Sequence, residues 1–202
     1  MIQGLLLAAG RSQRFGSDKR LAMLDGEALL LRTAKRWLQA RDETLGDVLV
    51  VLRAADPAER ELASRLRDLG ASTTFCAEAH LGMAHSLAWG VLQSPGVDGW
   101  LVGLGDMPAL QPQSIRAVAH ALHPEGIVLP TRDGLRGHPV GFGSAFGGEL
   151  LTLQGDHGAR RVLQAHRDAL HWLELDDPGL LFDIDQPEQL RQAAKRVERA
   201  AD

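Results

Sequence analysis

The chain has 202 residues, and its formal net charge of −4 argues against a nucleic-acid scaffold, because proteins that bind the phosphate backbone are usually basic. The single cysteine, Cys76, excludes an internal disulfide framework, and no apolar run approaches the ~18 residues that span a bilayer. We therefore expect a single domain over residues 1–202, located in the cytoplasm, with neither nucleic acid nor membrane as a partner.

Short apolar runs alternate with amphipathic stretches from one end of the chain to the other. The predicted strands are, in order, IQGLLLA, DVLVVLR, STTFCA, GWLVGLGD, GIVLPT, HPVGFGS and ALHWLEL. The predicted helices lie at residues 27–40, 57–70, 82–93, 112–122, 148–153 and 158–166, and a last one begins at Pro187. This alternation is typical of an α/β three-layer sandwich with a mostly parallel, Rossmann-like sheet. In such sheets ligands bind beyond the carboxyl ends of the strands.

The segment after the first predicted strand, GRSQRFGSDKR, is rich in glycine and cations. Gly10 and Gly16 permit backbone conformations that turn successive N–H groups toward an anion. Arg14 and Lys19 can add positive charge to the same anion, which makes a triphosphate a candidate ligand. The spacing differs from both the Walker A motif and the dinucleotide fingerprint. A solvated loop whose cations face water explains this composition equally well.

Two later segments place carboxylates at the ends of extended runs. GLGDMPAL puts Asp106 directly after a buried strand, and DIDQPEQL carries Asp183 and Asp185. Mg²⁺ prefers hard oxygen ligands and bridges one or two carboxylates to substrate phosphates. Asp106 is also a candidate turn residue, and Asp185 lies close enough to Pro187 to cap the last helix.

Three further segments carry polar groups that have both functional and structural interpretations. The start of the helix in GMAHSL can bind a phosphate or a base edge, although Ser86 can instead cap that helix. His138 precedes a proline and a strand, and a lone histidine is often structural. In GDHGARRVL, Arg160 can bind a phosphate bidentately, whereas Arg161 suits a solvated face and Asp156 a helix cap.

The segment LAAGRSQRFGSDK resembles the signature of nucleotidyltransferases that attach a nucleoside monophosphate to a phosphorylated acceptor. The resemblance is closest to the molybdenum cofactor cytidylyltransferase family, within the MobA-like NTP transferase superfamily. It continues in the expected order through GMAHSL, GLGDMPAL, GHPVGF, GDHGAR and DIDQPEQL, over nearly the whole chain. The resemblance implies the fold of nucleotide-diphospho-sugar transferases and an enzyme that releases pyrophosphate.

The same resemblance implies roles for individual residues. It implies a magnesium site at Asp106 and Asp185, and catalysis by Arg14, Lys19 and Asp106. The implied nucleotide-binding residues are Leu7, Ala8, Ala9, Gly10, Arg11, Ser12, Arg14, Lys19, Gly82, Met83, Ser86, Gly105 and Asp106. The implied acceptor-binding residues are His138, Pro139 and Arg160.

The activity that the resemblance implies is transfer of CMP from CTP to the phosphate of Mo-molybdopterin. The preference for CTP depends on Ala9, because the guanylyl branch usually reads LAGG and so leaves room for a purine. Open alternatives are GTP as donor, another phosphorylated acceptor such as a sugar phosphate, and a non-catalytic carrier of nucleotide or cofactor. The implied partners are the triphosphate and the acceptor, with a recipient molybdoenzyme as a further candidate.

Overall fold

The computed structural model describes residues 1–10 and 15–190. The strands in these ranges are β1 (Ile2–Leu7), β2 (Met23–Leu24), β3 (Glu27–Ala28), β4 (Leu45–Leu52), β5 (Ser72–Phe75), β6 (Gly99–Leu104), β7 (Ile127–Arg132), β8 (Leu135–Arg136), β9 (Val140–Gly143) and β10 (Leu170–Glu174). The helices are α1 (Leu29–Gln39), α2 (Pro57–Asp68), α3 (Met83–Leu92), α4 (Pro112–His120), α5 (Gly147–Leu151) and α6 (Arg160–Ala165). None of these helices is both long and apolar enough to cross a membrane.

The main sheet has the strand order β10-β7-β9-β6-β1-β4-β5, and β8 pairs with β7 beyond this path. The pairs β1–β4, β1–β6, β4–β5 and β7–β10 are parallel. β9 runs antiparallel to both β6 and β7, between which it lies. The predicted α/β fold with a mostly parallel sheet is therefore confirmed.

Helices cover both faces of the sheet. Alternate residues of β1 point to opposite faces, so that Leu6 belongs to one apolar cluster while Leu5 and Leu7 belong to the other. The first cluster includes buried residues of α1, α2 and α4, and the second includes buried residues of α3, α5 and α6. The result is a three-layer arrangement in which the central strand is apolar on both sides, as expected for a parallel sheet.

The predicted elements are recovered with shifted boundaries, and the largest difference lies before α1. This helix begins at Leu29 rather than at residue 27, because Glu27–Ala28 pairs with Met23–Leu24 in a two-stranded hairpin. Asp25 and Gly26 form its turn with positive φ angles of 50° and 80°. An Asp-Gly pair favours such a turn. Of the helix predicted from Pro187, residues 187–190 are helical, and its continuation lies outside the described residues.

The ring of Trp37 packs against the sheet where two central strands carry glycine. Trp37 is fully buried on α1, and its Cε3 lies 3.2 Å from the position that a Cβ on Gly4 of β1 would take. A Cβ on Gly103 of β6 would overlap the Trp37 ring outright. The two glycines therefore leave room for the Trp37 ring to pack against β1 and β6.

We predict that Gly103→Ala destabilises the fold by about 1–3 kcal/mol, because the added methyl group overpacks the core against Trp37. Urea unfolding followed by circular dichroism measures this change. The matched control is Gly148→Ala in α5, where an added Cβ meets nothing within 4 Å and the helix gains a better helix former. Equal stability of the two variants would contradict the packing described for Trp37.

Candidate active site

A cleft of about 530 Å³ lies at the carboxyl ends of β1 and β6. The residues proposed from the sequence that line it are Leu7, Ala8, Ala9, Gly10, Lys19, Gly82, Met83, Ser86, Gly105, Asp106 and Asp185. Three other expected residues, Arg11, Ser12 and Arg14, lie outside the described residues. The walls of the cleft are therefore formed by the end of β1, the end of β6 and the start of α3.

Lys19 connects the two carboxylates that were proposed as metal ligands. Its Nζ donates to Asp106 Oδ2 at 2.5 Å and to Asp185 Oδ1 at 2.8 Å. The side chains of Lys19 and Asp106 are mostly buried, whereas Asp185 is 34% exposed. Three segments that are distant in sequence therefore meet at a single ammonium group.

Burial and charge act in opposite directions on these groups. Burial raises the pKa of Asp106 above its usual value against the opposing effect of Lys19, and the charge of Asp183 raises it further. Burial lowers the pKa of Lys19, but the charges and hydrogen bonds of Asp106 and Asp185 outweigh this and raise the pKa above its usual value. Lys19 therefore carries its positive charge throughout the neutral range.

The donor set of this site fits a divalent cation. Asp106 Oδ1 is buried and has no hydrogen-bond partner among the described residues, so one carboxylate oxygen remains available as a ligand. Asp185 reaches the same ammonium group as Asp106, so the two acids can share one cation. The described ranges contain no group of three or more potential metal-ligating side chains. Two carboxylates supplemented by water and phosphate oxygens are the set that Mg²⁺ typically uses.

A buried arginine, which the sequence analysis did not single out, anchors the turn that carries Lys19. Arg20 Nη1 donates to the Ala8 carbonyl oxygen at 2.9 Å and to Glu59 Oε2 at 3.0 Å. Its Nη2 donates to Asp18 Oδ2 at 2.6 Å, and Arg53 Nη2 donates to the same oxygen at 2.8 Å. These bonds tie the turn Lys19–Leu21 both to the end of β1 and to α2.

The sequence of α2 contains an indication of this buried ion pair. Glu59 has the helical spacing of the buried residues Leu62, Ala63 and Leu66, so an acid lies on the apolar face of the helix. A buried carboxylate needs a partner, and the pairing with Arg20 supplies it. The sequence pattern indicates the buried acid but not which of the many cations in the chain neutralises it.

The start of α3 forms the opposite side of the cleft. Gly82 has a φ of 132°, and a Cβ at this position would overlap the Gly155 carbonyl and the Asp156 carboxylate. The Ala84 N–H donates to the Gly155 carbonyl oxygen at 3.0 Å. Asp156 lines the cleft instead of capping α6, which begins without a side-chain cap. Ser86 is buried inside α3 and does not cap it.

The three residues proposed for the acceptor do not line this cleft. His138 is largely buried, with an Nδ1 that has no partner among the described residues, and it is joined to the buried Pro139 by a cis peptide bond. Burial lowers the pKa of His138, while the charges of Asp106 and Asp183 oppose this change. His138 is therefore near the acids but behind the surface of the cleft, and Arg160 is exposed at the start of α6.

Comparison with known proteins assigns the chain to a family, since residues 4–170 match the MobA-like NTP transferase domain. This chain belongs to that family. The family and the fold together identify it as a nucleotidyltransferase. The family assignment predicted from the six sequence segments is confirmed at the level of the MobA-like superfamily.

Individual relatives cover most of the chain. The purine catabolism protein PucB of Bacillus subtilis is 34% identical in an alignment 200 residues long that covers 92% of each chain. A probable molybdenum cofactor guanylyltransferase of Thermococcus kodakarensis is 35% identical over 112 residues, which are 55% of this chain and 49% of the relative. Rv0371c of Mycobacterium tuberculosis superimposes with a TM-score of 0.79 at 26% identity, covering 96% of this chain and 98% of the other, and it has also been solved in complex with manganese.

We predict that Glu59→Ala destabilises the protein by about 3 kcal/mol, because it leaves the buried guanidinium of Arg20 with a single carboxylate partner. Urea unfolding measures this loss. The control is Glu61→Ala, an exposed acid on the same helix, for which we expect a change within about 0.5 kcal/mol. Similar stabilities of the two variants would contradict the anchoring role of the Arg20–Glu59 pair.

Proposed function

We propose that this nucleotidyltransferase transfers CMP from CTP to the phosphate of a molybdopterin acceptor and releases pyrophosphate. The observation that carries the proposal is the meeting of Lys19, Asp106 and Asp185 in one cleft at the carboxyl ends of β1 and β6. A buried cation beside paired acids suits chemistry on a polyphosphate, in which positioning and charge neutralisation supply most of the rate.

The proposed reaction is in-line attack by an acceptor phosphate oxygen on the α-phosphorus of the triphosphate. The bond from that phosphorus to the bridging oxygen of pyrophosphate breaks as the new bond forms. Lys19, together with Arg14 from the segment outside the described residues, would neutralise charge on the leaving pyrophosphate. No general base is needed, because a phosphate monoester is already ionised near neutral pH.

Asp106 and Asp185 are the proposed ligands of a divalent cation, Mg²⁺, which would neutralise charge on the reacting phosphates. Two observations support this assignment. Asp106 Oδ1 has no hydrogen-bond partner among the described residues, and both acids contact the same ammonium group. The manganese complex of Rv0371c supports a divalent cation in this fold without identifying the metal used here.

The nucleotide is proposed to lie along the end of β1 and the start of α3. Its phosphates would meet the segment from Leu7 to Gly10, with Arg11 and Ser12 continuing it, and its base would meet Gly82, Met83 and Ser86. Met83 is 45% exposed and lines the cleft, so it offers an apolar surface to a base. Gly105, next to Asp106, completes the proposed set.

The preference for CTP is supported by Ala9, which lines the cleft and whose methyl group would leave less room for a purine nucleotide than glycine would. GTP is the second candidate, because two relatives carry the name molybdenum cofactor guanylyltransferase. These relatives also support molybdopterin as the acceptor. On the acceptor side we propose His138 and Pro139 as a buried support near Asp183, and Arg160 as a phosphate contact.

The experiment that tests this function is pyrophosphate release with CTP, GTP, ATP or UTP, each with and without molybdopterin. We expect release above background only with CTP and molybdopterin together. A higher rate with GTP than with CTP would make GTP the donor. Turnover with a sugar phosphate but not with molybdopterin would overturn the acceptor assignment.

We predict that Asp106→Asn lowers the rate of pyrophosphate release at least about 100-fold, because it removes an anionic ligand of the cation that would neutralise charge on the reacting phosphates. The fold should remain intact by circular dichroism. The control is Asp176→Asn, which changes an acid whose side chain is 95% exposed and should retain the wild-type rate. Wild-type activity in Asp106→Asn would remove Asp106 from the mechanism.

A further inference from the structure

The ammonium group of Lys19 lies where the two acids of the cleft converge. It donates to one oxygen of each acid, at 2.5 Å from Asp106 and 2.8 Å from Asp185. An ammonium group with these contacts pairs with both carboxylates at once. The position shared by the acids is therefore already satisfied by a side chain of the protein itself.

A divalent cation that uses the same two acids has to compete with this ammonium group. Two cations close together in a poorly solvated site repel each other strongly. Mg²⁺ and Mn²⁺ are also strongly hydrated, and two carboxylates shared with a lysine give them little in exchange for lost water. The pair of acids should therefore bind a free divalent cation weakly while Lys19 remains between them.

Lys19 is able to leave this position without unfolding the turn that carries it. The turn is held through Arg20, which bonds to Asp18, to Glu59 and to the Ala8 carbonyl. The lysine stem is flexible and its ammonium is a point charge with three donors, so it can exchange one set of anionic oxygens for another. Phosphate oxygens of a nucleotide in the cleft would be such a set.

We propose that Lys19 acts as a substitute cation that excludes free divalent metal from Asp106 and Asp185 until a triphosphate draws the ammonium group away. Metal then binds the two acids with the nucleotide or after it, and not before it. This inference rests on the proposed function for the identity of the polyphosphate, but the competition between Lys19 and the metal does not depend on the donor or acceptor.

The test measures binding of Mn²⁺ alone to the full chain, from the electron paramagnetic resonance signal of the free ion, at pH 7.5. We expect Lys19→Met, which keeps an unbranched side chain of similar size but removes the charge, to bind Mn²⁺ at least about tenfold more tightly than the wild type. Lys19→Arg keeps the charge and should bind as weakly as the wild type. Equal or weaker binding by Lys19→Met would overturn the proposal.

The matched control is Lys35→Met, which removes the same charge from Lys35 of α1, whose Nζ lies 2.5 Å from Glu27 of β3. We expect its affinity for Mn²⁺ to stay within twofold of the wild type. Tightening as large as that of Lys19→Met would assign the effect to net charge and overturn the proposal. Circular dichroism checks the fold, and Lys19→Gln replaces Lys19→Met if the latter does not fold.

A second measurement addresses the exchange of partners. Wild-type protein should bind CTP or GTP in the presence of a chelator, because Lys19 can pair with the phosphates, and Lys19→Met should lose at least about tenfold in this affinity. An unchanged affinity of Lys19→Met for the nucleotide would overturn the proposal that Lys19 moves from the acids to the phosphates. The Mn²⁺ experiment contains neither nucleotide nor acceptor, so its result does not depend on the proposed function. A failure of CMP transfer would overturn the proposed function alone.

Discussion

The geometry of the cleft depends on the buried pairing of Arg20 with Glu59. Both side chains lie inside the protein, and each would be costly to bury without the other. The pair joins three elements, because Glu59 belongs to α2, Arg20 follows Lys19 directly, and the guanidinium also bonds to the Ala8 carbonyl at the end of β1. A hydrophobic contact would fill the same space without fixing a direction. The ion pair instead sets the orientation of the turn, and so aims Lys19 at Asp106.

The sheet topology explains why the acids meet at that place. β1 and β6 are parallel neighbours in register from Ile2 with Gly99 to Leu7 with Leu104, so both chains leave the sheet at the same edge. Asp106 follows β6, and its carbonyl accepts a hydrogen bond from the Ile184 N–H at 3.0 Å, which brings Asp183 and Asp185 to the same edge. On the other side of β6 lies the antiparallel β9, followed by β7 and the edge strand β10. The segment that carries Asp183 and Asp185 comes after β10 in the chain and reaches the cleft from there.

Local patterns in the sequence were sufficient to predict the sheet, whereas much of the cleft was expected from the resemblance to a family. The buried strand β6 is a continuous apolar run, and Asp106 follows it after Gly105. The hairpin before α1 escaped prediction because its strands have two residues each, too few for a period to emerge. The prediction that Asp156 caps a helix was also wrong. A capping residue and a cleft residue look alike in sequence, and only the close approach of Asp156 to Gly82 at the wall of the cleft distinguishes them.

The balance of charge in the cleft bears on how a triphosphate can enter it. Among the described residues that line the cleft, the acids Asp106, Asp156, Asp183 and Asp185 face only two cations with permanent charge, Lys19 and Arg20. The charge of Arg20 is already neutralised by Asp18 and Glu59, and that of Lys19 by two of the acids themselves. A bare triphosphate would therefore meet a wall with surplus negative charge. Counter-charge for its approach comes from Lys19 once this residue leaves its acids, or from a metal ion bound to the triphosphate. The negative wall thus favours a polyphosphate that arrives as its metal complex.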